Sequence, residues 1–123
     1  PWRASFSDWI RNNLKQKKTV ELFQDDFISP IALMHFAQLL GVLIKKQANG
    51  IFNVAGSDRL SKYDFGIRLA KKYDYSLDLI NGISVDSKTL KAIRPKDMSL
   101  SFNKLSHFLG YPPPGIDSGL ASL

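Results

Sequence analysis

Apolar residues recur at Phe6, Trp9, Ile10 and Leu14, the spacing of one helical face, and Ser5 or Ser7 stands where that helix needs a cap. VELFQ (20–24) has the form of a short strand, and DDFIS (25–29) reads as a loop. Ser29 before Pro30 marks the next helix start, with serine as cap and proline in the first turn, and Ile28 and Leu33 have the spacing of a hydrophobic staple. From 30 to about 47 the pattern is almost wholly apolar, its polar members His35, Gln38 and Lys45 falling on a narrow stripe. Such a helix is expected to be covered on more than one side, which implies a layer beyond what this chain supplies.

IFNV (51–54) is apolar without clean alternation, the pattern of a strand covered on both faces in a parallel sheet. AGSDR forms the turn after it. Ser61 then caps a helix with Asp64 as its capping-box partner, Leu60 and Phe65 as the staple, and Phe65, Leu69 and Tyr73 as the inner stripe; Asp64 and Arg68 have the spacing of an outer-face pair. LDLINGISVD is expected to hold a helical turn and then a short strand around 83–85. RPKDMSLS is extended, because Arg94 precedes proline. Ser101 is the expected cap of a further helix stapled by Leu100 and Leu105 and ended by Gly110, and a short helix can follow from Ile116. The alternation of helices and strands is that of an α/β protein.

Composition narrows the function classes. The 123 residues are 44% hydrophobic and 11% aromatic, which fits a globular chain with a real core. There is no cysteine, so disulfides and thiolate metal sites are excluded, and the chain leans towards a reducing, cytoplasmic setting. The longest apolar run, IALMHFAQLLGVLI (31–44), is too short to span a bilayer, so no membrane partner is expected. The first residue is Pro1, not Met, which points to a processed or truncated product. The net charge of +6 raises nucleic acid as a partner. The lysines, however, come as pairs at predicted helix ends (Lys17 and Lys18, Lys45 and Lys46, Lys71 and Lys72), where they oppose the helix dipole, and no nucleic-acid partner is expected.

The motifs of a dinucleotide-binding fold are missing. The glycines stand at 41, 50, 56, 66, 82, 110, 115 and 119, and none makes the Gly-x-Gly-x-x-Gly turn that lets backbone amides reach a pyrophosphate. No tyrosine has a lysine four positions on, and His35 and His107 adjoin no carboxylate, so no catalytic residue and no metal ligand set is assigned. Asp25 and Asp26, being adjacent, point to opposite faces if extended and read as a solvated turn. His35 reads as a hydrogen-bonded packing residue.

Four segments in order, SFSDWI, DDFISPIALMHFAQLL, GIFNVAGSDRLSKYDFGIRLAKKY and RPKDMSLSFNKLSHFLG, resemble the C-terminal half of extended short-chain dehydrogenases/reductases, and most nearly the dTDP-4-dehydrorhamnose reductase family. The resemblance implies an α/β fold: the C-terminal portion of an NAD(P)-binding Rossmann-type enzyme with its small substrate-binding lobe. Residues 1–123 would be a single partial domain, and the glycine loop and Tyr-x-x-x-Lys pair would precede Pro1. NAD(P) would belong to the parent protein, with no cofactor expected on this chain alone. The substrate would be a sugar nucleotide whose 4-keto group is reduced. The partner would be the N-terminal Rossmann half, or another chain, against the exposed strand 51–54. By the same resemblance Arg94 and Asp97 fall on a segment that contacts substrate phosphates in related epimerases, and Phe6, Phe27 and Ser29 fall where the family lines its sugar and base pocket. Trp2 and Arg3 precede the first helix, a position from which they could reach the ligand. Two positions depart from the pattern: His35 stands where relatives usually have Asp, and Ile28 where the epimerase branch has a second phosphate-binding Arg, which fits the reductase branch better. The alternative reading is a non-catalytic regulatory or scaffold subunit of the same fold family.

Overall fold

The computed structural model describes residues 3–123. The helices are α1 (Phe6–Lys15), α2 (Leu33–Lys45), α3 (Lys62–Lys72), α4 (Asn103–Leu109) and α5 (Ile116–Ala121); the strands are β1 (Val20–Phe23), β4 (Ile80–Ile83) and the two-residue pieces β2 (Phe27–Ile28) and β3 (Leu60–Ser61). The chain divides into two compact units. Unit 1 takes the chain up to Phe27 together with Leu60–Met98, and unit 2 takes Ile28–Arg59 with Ser99–Leu123.

Unit 1 is a parallel strand pair under two helices. β1 and β4 run in register from Val20 opposite Ile80 to Phe23 opposite Ile83, and Gln24 N–H extends the ladder to Ile83 O at 2.9 Å. Along β1, Val20 and Leu22 are buried and Glu21 is exposed, so helices cover one face only. Ile10 and Leu14 of α1 and Leu69 and Ala70 of α3 close that face. α3 lies close because position 66 is glycine: a methyl group on its Cα would stand 2.1 Å from Leu22 Cδ1. Ser5 and Ser61 cap α1 and α3 by accepting from the Asp8 and Asp64 amides, as the sequence predicts for Ser61, and Lys71 and Lys72 occupy the last turn of α3. The second strand falls at Ile80–Ile83, after a helical turn at Leu77–Leu79, and not at 83–85. Val85 opens another helical turn because Asp25 takes its amide.

Unit 2 is built on Leu39 and Leu43 of α2 and Leu105 and Leu109 of α4, with Phe52, Val54 and Phe108 packed against them. Three sequence expectations change here. α2 begins at Leu33, not Pro30, with Ala32 at its cap and no side-chain cap bond. Ser29 does not cap it, because its hydroxyl accepts the Leu100 amide at 3.1 Å, and a distant donor outcompetes the local one. Residues 51–54 form no ladder with any described strand. Side-chain bonds tie the segment down instead: Lys104 Nζ donates to the backbone oxygen of Ile51 at 2.6 Å, and the Asn53 side chain donates through Nδ2 to Ser101 O at 3.4 Å. Phe52 and Val54 turn inward while Ile51 is 85% exposed. α4 starts after Phe102, although Ser101 Oγ still accepts the Asn103 amide, and Gly110 ends it in the left-handed conformation, φ 84°.

The expected second covering of α2 has a direct counterpart. Leu39 and Leu43 are buried, while Leu33, Met34, Leu40 and Ile44 are exposed, Leu33 at 79% and Ile44 at 69%. Leu33, Leu40 and Ile44 share one face at helical spacing, so a second apolar stripe of α2 faces solvent. No helix among the described residues is long and apolar enough to cross a membrane.

Candidate functional site

The entry to α1, the strand β1, the start of α3 and the loop after β4 surround a cavity of about 570 Å³ in unit 1. Its apolar lining includes Phe6, Trp9, Leu22 and Phe23, and its charged lining is Arg3, Glu21, Lys62 and Arg94. Phe6 stacks on Trp9 (centroids 6.3 Å, planes 11° apart) and, on another side, on Phe65 (5.6 Å, 23°). Helical spacing puts residues 6 and 9 on one face, so a single helix supplies two parallel rings. A flat aromatic surface beside guanidinium groups suits a ligand with a planar or apolar part and an anionic part.

Lys62 is held inside this wall. Its ammonium lies 2.5 Å from Asp26 Oδ2, and 5.9 Å from the centre of the Phe6 ring. The Asp26 side chain has no exposure, and its Oδ1 has no hydrogen-bond partner among the described residues. Asp26 is therefore not part of a solvated turn as the adjacent carboxylates led one to expect. Its partner lies far along the chain, and the Lys62 amide also donates to Asp26 O at 3.0 Å.

Asp25 faces a different set of partners and ties down the loop that carries Arg94. It accepts from Val85 N at 2.8 Å and from the Ser84 hydroxyl at 2.6 Å, and Lys96 Nζ lies 3.5 Å away. The Ser84 and Val85 bonds to the ionised form, together with Lys96, hold its carboxyl below the ordinary 3.8. Lys96 also pairs with Asp86 at 2.5 Å, and that contact, joined by Asp25, holds its ammonium above the ordinary 10.5. One carboxylate thus engages the loop at both ends, at Ser84–Val85 and at Lys96, with Arg94 between them.

Of the residues the sequence singles out, Phe6 and Arg94 line the same cavity, joined by Arg3. Phe27 and Asp97 come together elsewhere in unit 1: Phe27 N donates to Lys96 O at 2.8 Å, Met98 N donates to Phe27 O at 2.9 Å, and the two residues form an isolated bridge. Ser29 belongs to unit 2, its hydroxyl engaged by Leu100. Trp2 lies outside the described residues. His35 is not the satisfied packing residue expected, because its Nδ1 is buried without a partner among the described residues. Sequence reasoning passed over Trp9, Phe23 and Lys62 as site residues. Trp9 carried a signal, since it shares the Phe6 face at helical spacing, whereas Lys62 carried none without Asp26 beside it.

Comparison with known proteins adds the family. Residues 2–123 match the RmlD substrate binding domain. A probable low-salt glycan biosynthesis reductase of Haloferax volcanii is 25% identical over 120 residues, covering 98% of this chain and 40% of that protein. A dTDP-4-dehydrorhamnose reductase from Bacillus anthracis, solved in complex with NADP, shares the fold at a TM-score of 0.86 and 17% identity, over 99% of this chain and 43% of its own. The dTDP-4-dehydrorhamnose reductase from Clostridium acetobutylicum does so at 0.87 and 18% identity, over 98% and 42%. The chain spans about two-fifths of the length of these relatives and shares a mixed α/β fold with the two solved reductases.

Proposed function

Because the chain belongs to the RmlD substrate binding domain family, we propose that it is the substrate-binding part of a longer NAD(P)-dependent sugar-nucleotide reductase acting on a 4-keto sugar. The observation that carries this reading is the unit 1 cavity, where the stacked rings of Phe6 and Trp9 stand beside Arg94. In this reading the rings hold the planar or apolar part of the ligand, and the Arg94 guanidinium, a planar fork of donors, takes the phosphates. Arg3 assists it. Phe27 and Asp97, bridged to each other in unit 1, hold the segment that follows Arg94. The 123 residues act as one partial domain of a cytoplasmic parent enzyme.

The dinucleotide belongs to another part of the parent. None of the eight glycines makes the required turn. Gly56, which follows the extended 51–54 segment, offers no cradle for a pyrophosphate, because the Pro30 carbonyl oxygen fills the space over its Cα. Hydride transfer is therefore not a property of these residues. The cofactor-binding part is the partner that covers the exposed stripe Leu33, Leu40 and Ile44 of α2. Sequencing the encoding DNA upstream tests this: the expected result is an in-frame glycine-rich turn followed by a Tyr-x-x-x-Lys pair, and an in-frame stop codon in their place contradicts it.

A further inference from the structure

The cations around the cavity are not equivalent. Arg3 and Arg94 are exposed, and neither forms an ion pair among the described residues. Glu21, the acidic member of the lining, is engaged by Lys88 at 2.5 Å. Lys62 differs from all of these. Its side chain is 17% exposed and its charge is matched by a carboxylate with no exposure at all. Among the described residues the second oxygen of that carboxylate is buried without a partner, and Lys62 supplies the compensation of Asp26. The ammonium is therefore anchored and does not swing out to a phosphate.

An anchored, compensated ammonium still has donors to give. It carries three N–H groups, and Asp26 Oδ2 takes one of them, leaving the others for the cavity that Lys62 lines. The pair presents hydrogen-bond donors without net charge. That chemistry fits a neutral oxygen, a hydroxyl or carbonyl, better than a phosphate, whereas the uncompensated guanidiniums fit a diphosphate.

Resting on the reading of this cavity as a sugar-nucleotide site, we propose that Lys62, positioned by Asp26, is the specificity-determining donor to the neutral sugar, while Arg94 and Arg3 hold the charged end. Calorimetric titration of the chain with thymidine diphosphate and with thymidine diphosphate-glucose tests it. The variants are Lys62→Met, Lys62→Met combined with Asp26→Asn, and Arg94→Gln. The double variant removes both charges, so a folded protein remains even where Lys62→Met alone leaves Asp26 buried and unpaired; circular dichroism checks each fold. The wild-type chain is expected to bind the sugar nucleotide more tightly than the nucleoside diphosphate. The Lys62 variants lose that preference while keeping their affinity for the nucleoside diphosphate. Arg94→Gln weakens both ligands about tenfold, as loss of a charged hydrogen bond does, and keeps the preference. Lys62 variants that retain the sugar preference, or that lose both ligands equally, overturn the assignment, and so does a wild-type chain with no preference. A wild-type chain that binds neither ligand overturns the sugar-nucleotide reading itself.

Discussion

Asp25 Oδ1 accepts the backbone N–H of Val85 at 2.8 Å, across 60 positions of sequence. With the Ser84 hydroxyl on Oδ2 and Lys96 nearby, this carboxylate fixes the loop that brings Arg94 to the cavity. Because the folded protein holds Asp25 below its ordinary 3.8, its contribution to stability is complete above that value and is lost as the pH falls through the lower, folded value. Lys96 is held above 10.5, so its contribution is complete below that value and is lost as the pH rises through the higher one. Thermal denaturation of the wild-type chain and Asp25→Asn across acid pH reads the first effect. The stability advantage of the wild type should shrink as the pH drops below 3.8, and a difference that stays constant with pH contradicts it.

Gly56 lies against the backbone of Pro30. A methyl group on its Cα would stand 2.0 Å from the Pro30 carbonyl oxygen and 3.4 Å from that of Pro114. Backbone cannot rotate out of the way as a side-chain tip can. Gly56→Ala is therefore expected to destabilise unit 2 by about 1–3 kcal/mol, the range for overpacking, as measured by urea denaturation. Unchanged stability contradicts this close approach.

The two stripes of α2 should respond in opposite ways. Leu39 is 4% exposed within the core with Leu105 and Leu109, and Leu39→Ala should cost about 2–5 kcal/mol. Ile44 is 69% exposed, and Ile44→Glu should change the stability of the isolated chain by no more than about 0.5 kcal/mol in urea denaturation. A large loss of stability from Ile44→Glu shows that the stripe is already covered within this chain.

What the sequence disclosed follows from the range of each interaction. The cap at Ser61, the stop at Gly110 and the lysines at the ends of α2 and α3 involve near neighbours, and their patterns were legible as written. Ser29 looked like a cap by the same local rule, yet its hydroxyl serves Leu100, 71 positions away. Asp26 looked solvated because Lys62 lies 36 positions on. Residues 51–54 had the composition of a strand, but a ladder needs a partner strand, and among the described residues none lies beside them. The apolar excess of α2 did show directly in the pattern. Phe6 and Arg94 came from a family resemblance, and the cavity adds Trp9 and Lys62, which only the packing of α1 against β1 and α3 brings to the same wall.

The most direct test of the substrate-binding account is a proton–nitrogen NMR titration of the chain with thymidine diphosphate-glucose. The account predicts saturable shifts at the Phe6 and Lys62 amides, the Trp9 indole and the Arg94 guanidinium, all around the unit 1 cavity. Absence of saturable shifts, or shifts confined to the Leu39–Leu105 core of unit 2, contradicts it.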